Sequence, residues 1–147
     1  MMKSTTLPAA ALFLALDLAC HPKAAPDQEI RDTLSKAATA LEAGDASGAT
    51  AILDDRYQGP EGMNKAATAF YLAQVLKQGK VGVHVADQDI GVNGGDAFEK
   101  VHVVLTQSGS GLLPDGSKKV YILHWVKRGS DWRVVDIQDF TDRSEGG

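Results

Sequence analysis

Three histidines, His84, His102 and His124, fall on stretches whose apolar and polar residues alternate. A histidine held beside a carboxylate can act as a general base, because the carboxylate fixes the imidazole tautomer and raises its basicity. If Gly94 and Gly95 form a two-residue turn, Asp87 faces His102 and Asp89 faces Lys100 across two strands. The same pairing is also a solvated sheet face stabilised by opposite-charge pairs, each worth only about 0.2–1 kcal/mol. A zinc site would need all three imidazoles within about 2.1 Å of one ion. No two of these histidines show helical or short-loop spacing, so no metal is expected. No Gly-x-Ser-x-Gly motif is present, and Gly109-Ser110-Gly111 does not open a helix, so it is no phosphate cradle. No cofactor is implied.

The elements that must position these side chains divide into a helical half and a strand half. Asp27 is expected to cap a first helix whose stripe is Ile30, Leu34, Ala37, Ala38 and Leu41, with Gly44 as its stop. Asp45 or Ser47 caps a shorter helix through Ala49, Ile52 and Leu53, and Asp54, Asp55, Arg56 and Tyr57 lead out of it to a Gly59-Pro60 turn. Asn64 caps a third helix with Ala66, Ala69, Phe70, Ala73 and Leu76 inward, ending at Gly79.

From Lys80 the period changes from 3.6 to 2, as Val81, Val83 and Val85 alternate with Lys80, Gly82 and His84. Asn93-Gly94-Gly95-Asp96 signals a hairpin. Val101, Val103 and Leu105 mark the next strand, a Gly/Ser loop spans residues 107–117, and strands at 120–127 and 132–140 flank the turn Arg128-Gly129-Ser130-Asp131. The last strands are apolar on both faces, with Val120, Ile122 and Val126 on one and Tyr121, Leu123 and Trp125 on the other. The expected class is α+β, three N-terminal helices packed on one face of a curved antiparallel sheet. The second apolar face is expected to be an interface, for instance of a homodimer.

The N-terminus resembles a bacterial lipoprotein signal. Lys3 supplies the charge, residues 7–16 the apolar run, and Ala19 the small residue before Cys20, with Asp17 standing where that pattern usually has Leu. The run is shorter than the roughly 20 apolar residues of a spanning helix. Cys20 is the chain's single cysteine, so it has no disulfide partner within the chain, and lipidation accounts for it. The expectation is a signal peptide at 1–19, an acylated Cys20 with a tether at 20–26, a folded domain at 27–140 and a flexible tail at 141–147. The chain would then be exported and held at a membrane, on the periplasmic side or in the cell envelope.

About 120 residues remain for the fold, one domain by the usual prior. Apolar residues make up 44% of the 147, enough for a core without disulfides. The net charge of −4, with no Lys/Arg cluster along the chain, argues against nucleic acid as a partner.

The order of elements, closed by a hairpin of the form aromatic-x-x-x-Gly-x-x-Trp-Arg-Val (Trp125, Gly129, Trp132, Arg133, Val134), resembles the nuclear transport factor 2-like superfamily. The Gly95-Asp96 turn into an alternating strand is similar too, and the resemblance covers about residues 27–138. It implies a cone-shaped, cystatin-like roll: a sheet wrapped around a long helix, with a pocket between them. Members include isomerases, dehydratases, cyclases, binding domains and transport adaptors, so the fold leaves function open. The enzymes among them use an Asp or an Asp/His pair with a Tyr inside the cone. This chain offers Tyr57, Tyr71, Asp54, Asp55 and Asp136 for such a role, and Tyr57, His102 and Asp136 are the catalytic candidates. Tyr57, Phe70 and Trp125 are candidates for touching a ligand. Two functions follow. One is a membrane-anchored domain that binds a small apolar ligand or a partner protein through its pocket or sheet face. The other is a small cofactor-independent acid–base enzyme, an isomerase, dehydratase or hydrolase.

Overall fold

A computed structural model describes residues 24–108 and 117–144. Helix α1 spans Pro26–Glu42. Proline opens it because the first helical N–H needs no partner, and Asp27 and Glu29 in the first turn oppose the positive end of the helix dipole. Asp27 is therefore inside the helix; the residue at the cap position is Ala25, which makes no side-chain capping bond. Gly44, at φ 75°, takes the left-handed conformation that ends the helix. The carboxylate of Asp45 then accepts from Gly48 N at 2.9 Å and caps α2, Ala46–Thr50.

The segment expected to lead out of the second helix is instead a strand, β1, Leu53–Gln58. It lies parallel to the last strand, with Leu53 opposite Val134, and Val134 N donates to Ile52 O at 2.8 Å. Leu53 and Tyr57 point into the core, and Asp54 is buried because it bonds to Arg128. A short 3-10 turn, Pro60–Gly62, leads to Asn64, whose Oδ1 accepts from Ala67 N and caps α3, Lys65–Gln78. Within α3 the stripe expected to face inward does so only in part, with Ala69, Ala73 and Leu76 half-buried. Val75 is its buried residue, while Ala66 and Phe70 are exposed. The cause is position: α3 packs on α2 and on β1 at the sheet's edge, not over the sheet.

Strands β2 (Val81–Asn93), β3 (Asp96–Gln107), β4 (Ser117–Arg128) and β5 (Asp131–Asp139) form an antiparallel meander, and the sheet order is β1-β5-β4-β3-β2. The sheet is thus mixed: the four expected strands are antiparallel, and β1 is added in parallel at the edge. Asn93 pairs with Asp96 around Gly94-Gly95, and Asp87 pairs with His102, as the turn chemistry predicts. The first part of the expected tail forms a helical turn, α4, Thr141–Ser144, which packs on β4; Thr141 Oγ1 accepts from Val120 N at 3.2 Å. The signal, Cys20 and most of the tether lie outside the described residues, as do residues 109–116 of the Gly/Ser loop and the last three residues. Among the described residues no helix is long and apolar enough to cross a membrane.

The core lies between α1 and one face of the sheet. Ile30 from α1 meets Ala97, Val101 and Val103 of β3, Leu123 and Trp125 of β4, and Trp132 and Val134 of β5. Glu29, one residue earlier, fastens the same end of the helix to the β4–β5 hairpin: its Oε2 accepts from Lys127 Nζ at 2.7 Å and from Trp132 Nε1 at 3.0 Å. Because Ile30 is fully buried, Ile30→Ala should lower stability by about 3 kcal/mol in urea denaturation. A loss well under 1 kcal/mol would mean that α1 is not seated on the sheet.

Candidate functional site

The chemistry closest to the centre belongs to a residue the sequence reading did not single out. Glu99 sits on β3 at the same parity as Val101 and Val103, so alternation turns it inward, and its exposure is 0%. Gln88 Nε2 donates to its Oε1 at 2.6 Å and Trp125 Nε1 donates to its Oε2 at 2.9 Å. Arg31 of α1 completes the chain, donating to Gln88 Oε1 at 3.4 Å and to the Gln88 carbonyl at 3.3 Å. Burial pushes the Glu99 carboxyl above its usual range; the two donated bonds and the Arg31 charge pull the other way, with less effect.

This carboxyl is packed among other side chains. Ile30, Trp125 and Val134 around it are also unexposed. A cavity of about 280 Å³ runs between α1 and β2 past Arg31, Val85 and the carboxyl's partner Gln88, and Glu99 is not part of its lining. Around Glu99, the space between the sheet and the long helix is occupied by these packed side chains. Among the described residues every buried side-chain polar atom has a partner.

Of the expected catalytic residues the fold brings Tyr57 and Asp136 near one another, on the adjacent strands β1 and β5, and leaves His102 elsewhere. Tyr57 is 3% exposed in the core, and burial, helped by the Asp136 carboxylate, pushes its phenol up. Asp136 pairs across the strands with His124 and accepts from Gln138 Nε2 at 3.1 Å. His102 lies on the opposite face of β3 from Glu99, paired with Asp87 on β2 and Val120 on β4. His84, on that same outer face, pairs with Val104. His124 stacks on Phe98 with ring centroids 4.4 Å apart, and its Nε2 is 2.9 Å from Asp96 Oδ1. The three histidines thus share a face without converging, and no group of three His, Cys, Asp or Glu among the described residues can hold a metal ion. Tyr71 is exposed on α3. Trp125 is committed to the core and to Glu99.

Phe70 differs. It is 70% exposed and lines an open groove of about 900 Å³ between α2 and α3. The floor and walls are Ala46, Ala51, Ala66, Ala69 and Ala73, and Ser47, Thr50, Asn64 and the Asp55–Lys65 ion pair (3.9 Å) also border it. The α3 stripe that periodicity assigned to the core is what makes this groove apolar. Small methyl side chains leave room beside the two helices, and the one large ring at the rim has no protein surface to cover it.

The raised Glu99 carboxyl has a measurable consequence. A carboxyl that binds its proton more tightly folded than unfolded favours the fold at low pH and progressively less as pH rises above about 4.5, its ordinary value. Glu99→Gln abolishes that ionisation, so wild type should lose stability relative to Glu99→Gln as pH rises from 4.5 toward neutrality. Parallel stability curves from urea denaturation at several pH values would show that Glu99 ionises without cost.

No family model matches the chain, and no curated protein does. Solved structures do. An NTF2-like protein from Cytophaga hutchinsonii is 16% identical, with TM-score 0.67, and the match covers 79% of this chain and 98% of that one. An NTF2-like protein with a cystatin-like fold from Novosphingobium aromaticivorans is 17% identical, with TM-score 0.62 and coverage of 77% and 79%. A protein of the same organism assigned provisionally as a scytalone dehydratase is 14% identical, with TM-score 0.66 and coverage of 77% and 83%. The chain also matches Bd1075 of Bdellovibrio bacteriovorus at 13% identity and TM-score 0.66, spanning 40% of that protein's chain. At these identities the likeness is one of fold, which is α+β, with helices against a five-stranded mixed sheet of the NTF2-like, cystatin-like kind.

Proposed function

We propose that this chain is a ligand-binding domain, held at a membrane through an acylated Cys20, that takes a small apolar ligand into the groove between α2 and α3. The observation that carries this reading is the exposed Phe70 ring over an alanine-lined groove of about 900 Å³. That volume falls within the roughly 300–1,000 Å³ of small-molecule sites, which are mostly apolar with a few polar groups. Covering a phenylalanine ring is worth about 1.5–3 kcal/mol, which an apolar ligand gains and the free protein forgoes. The centre of the roll offers no comparable space. The acid–base alternative has less behind it: Asp136 lies near Tyr57, but the Tyr57 ring is packed in the core, and His102 is on the outer sheet face. Neighbours of this fold with provisional enzyme assignments share architecture with the chain at 14% identity or near it, so their reactions do not transfer.

The groove is tested with Nile red and the full chain carrying Cys20→Ser, the dye being displaced by 1-dodecanol. Saturable binding that falls at least tenfold in Ala69→Glu, at unchanged thermal stability, is the expected result. Dye binding that is unsaturable, or identical in Ala69→Glu, would remove the groove from consideration. The anchor is tested separately. In a bacterial host, Cys20→Ser should move the protein from the membrane to the soluble fraction, and an unchanged distribution would end the lipidation reading.

A further inference from the structure

The groove does not end at its apolar walls. A second cavity, of about 440 Å³, lies at the β1–β5 edge and is lined by Leu53, Asp54, Asp55, Arg56, Lys65, Arg128 and Arg133. Asp55 and Lys65 line both cavities, so the two adjoin at that pair. The second cavity brings four cationic side chains and two carboxylates together in a chain whose net charge is −4.

The carboxylates here are mostly occupied. Asp54 is buried; its Oδ2 accepts from Arg128 Nε at 2.8 Å, and its Oδ1 accepts from Arg128 Nη2 at 3.4 Å and from the Arg56 backbone N at 3.0 Å. These bonds hold the Arg128 guanidinium in place at the rim. Arg133 bonds to Asp131 through Nη2 at 3.4 Å and to the Trp132 carbonyl through Nη1 at the same distance. Asp55, fully outward, is 3.9 Å from Lys65. Arg56 is exposed and makes no ion pair among the described residues. A guanidinium with free N–H groups beside two others that are already oriented is suited to an anion, which arginine binds through paired hydrogen bonds.

We propose that the ligand is an anionic amphiphile, its apolar chain lying along the α2–α3 groove past Phe70 and its carboxylate, sulfate or phosphate head meeting Arg56, Arg128 and Arg133. This rests on the groove reading above and adds the chemistry of the head group. A neutral apolar molecule uses half of the surface; an amphiphile of this kind uses both halves, which adjoin at Asp55–Lys65.

The test measures dodecanoate and 1-dodecanol by titration calorimetry, each below its aggregation limit, on the full chain carrying Cys20→Ser. Variants with Arg56→Glu and with Arg56→Glu plus Arg133→Glu complete the set; neither residue contributes to the core, so both variants should fold with an unchanged circular dichroism spectrum. Dodecanoate should bind about tenfold more tightly than dodecanol, the usual gain from charge-assisted hydrogen bonds, and should lose that advantage in the charge-reversed variants while dodecanol binding stays the same. Equal affinities for the two probes, unmoved by the variants, would overturn the head-group assignment and leave the groove standing. Failure of both probes to bind would overturn the groove itself. Charge reversal that weakens both probes equally would also count against the proposal, since it would show a structural effect and no recognition of the head.

Discussion

A carboxyl group with no contact with water must keep all its hydrogen bonds, and Glu99 imposes that condition on four elements at once. Its partners come from β2 and β4, it sits on β3, and Arg31 reaches the network from α1. Simple alternation along β2 from Val85 would turn Gln88 to the outer face. The irregularity between Val85 and Asp87 inserts Ala86 and reverses the parity, which aims Gln88 at Glu99. A comparable irregularity on β5, between Val134 and Asp136, keeps Val134 and Ile137 on the core side. A slip of one residue in the β2–β3 pairing would take Gln88 away and leave the buried carboxyl short of one of its two donors. The register of the meander is therefore set by polar chemistry as much as by the valines around it.

The legible parts of the fold were those governed by local chemistry. Asn93-Gly94-Gly95-Asp96 forms the expected tight hairpin, so the partners of His102 and Lys100 follow from counting outward. Asn64 caps α3 because its side chain is short enough to reach the Ala67 N–H. β1 was not legible. Asp54, Asp55 and Arg56 read as a solvated helix exit, and their pairing is with a strand near the other end of the chain, which no local signal announces. Phe70 read as core because its spacing was right; whether such a stripe meets a sheet face or a sheet edge is decided by tertiary placement. Glu99 could have been found, since it shares the parity of Val101 and Val103. A charged residue in an inward register calls for a buried donor, and Trp125 is that donor.

The division of labour between inside and outside follows from the same economy. Trp125, Tyr57 and Glu99 are the groups of the interior with chemical potential, and each is spent on holding the roll together. What the fold leaves unspent is at the periphery: an aromatic ring over small side chains, and an arginine beside two oriented ones. The apolar groove comes from α2 and α3, and the cationic rim from β1 and the β4–β5 hairpin, so both meet where β1 joins the sheet.

That junction has a consequence for how the molecule comes into being. β1 cannot pair until Val134 has been made, and α1 cannot dock its first turn until Lys127 and Trp132 exist. α1 and β1 thus wait for the β4–β5 hairpin, and such long-range closure is slow compared with forming a hairpin. Helices and a nascent meander can form first, but the finished structure arrives only once the β4–β5 hairpin is there to receive α1 and β1.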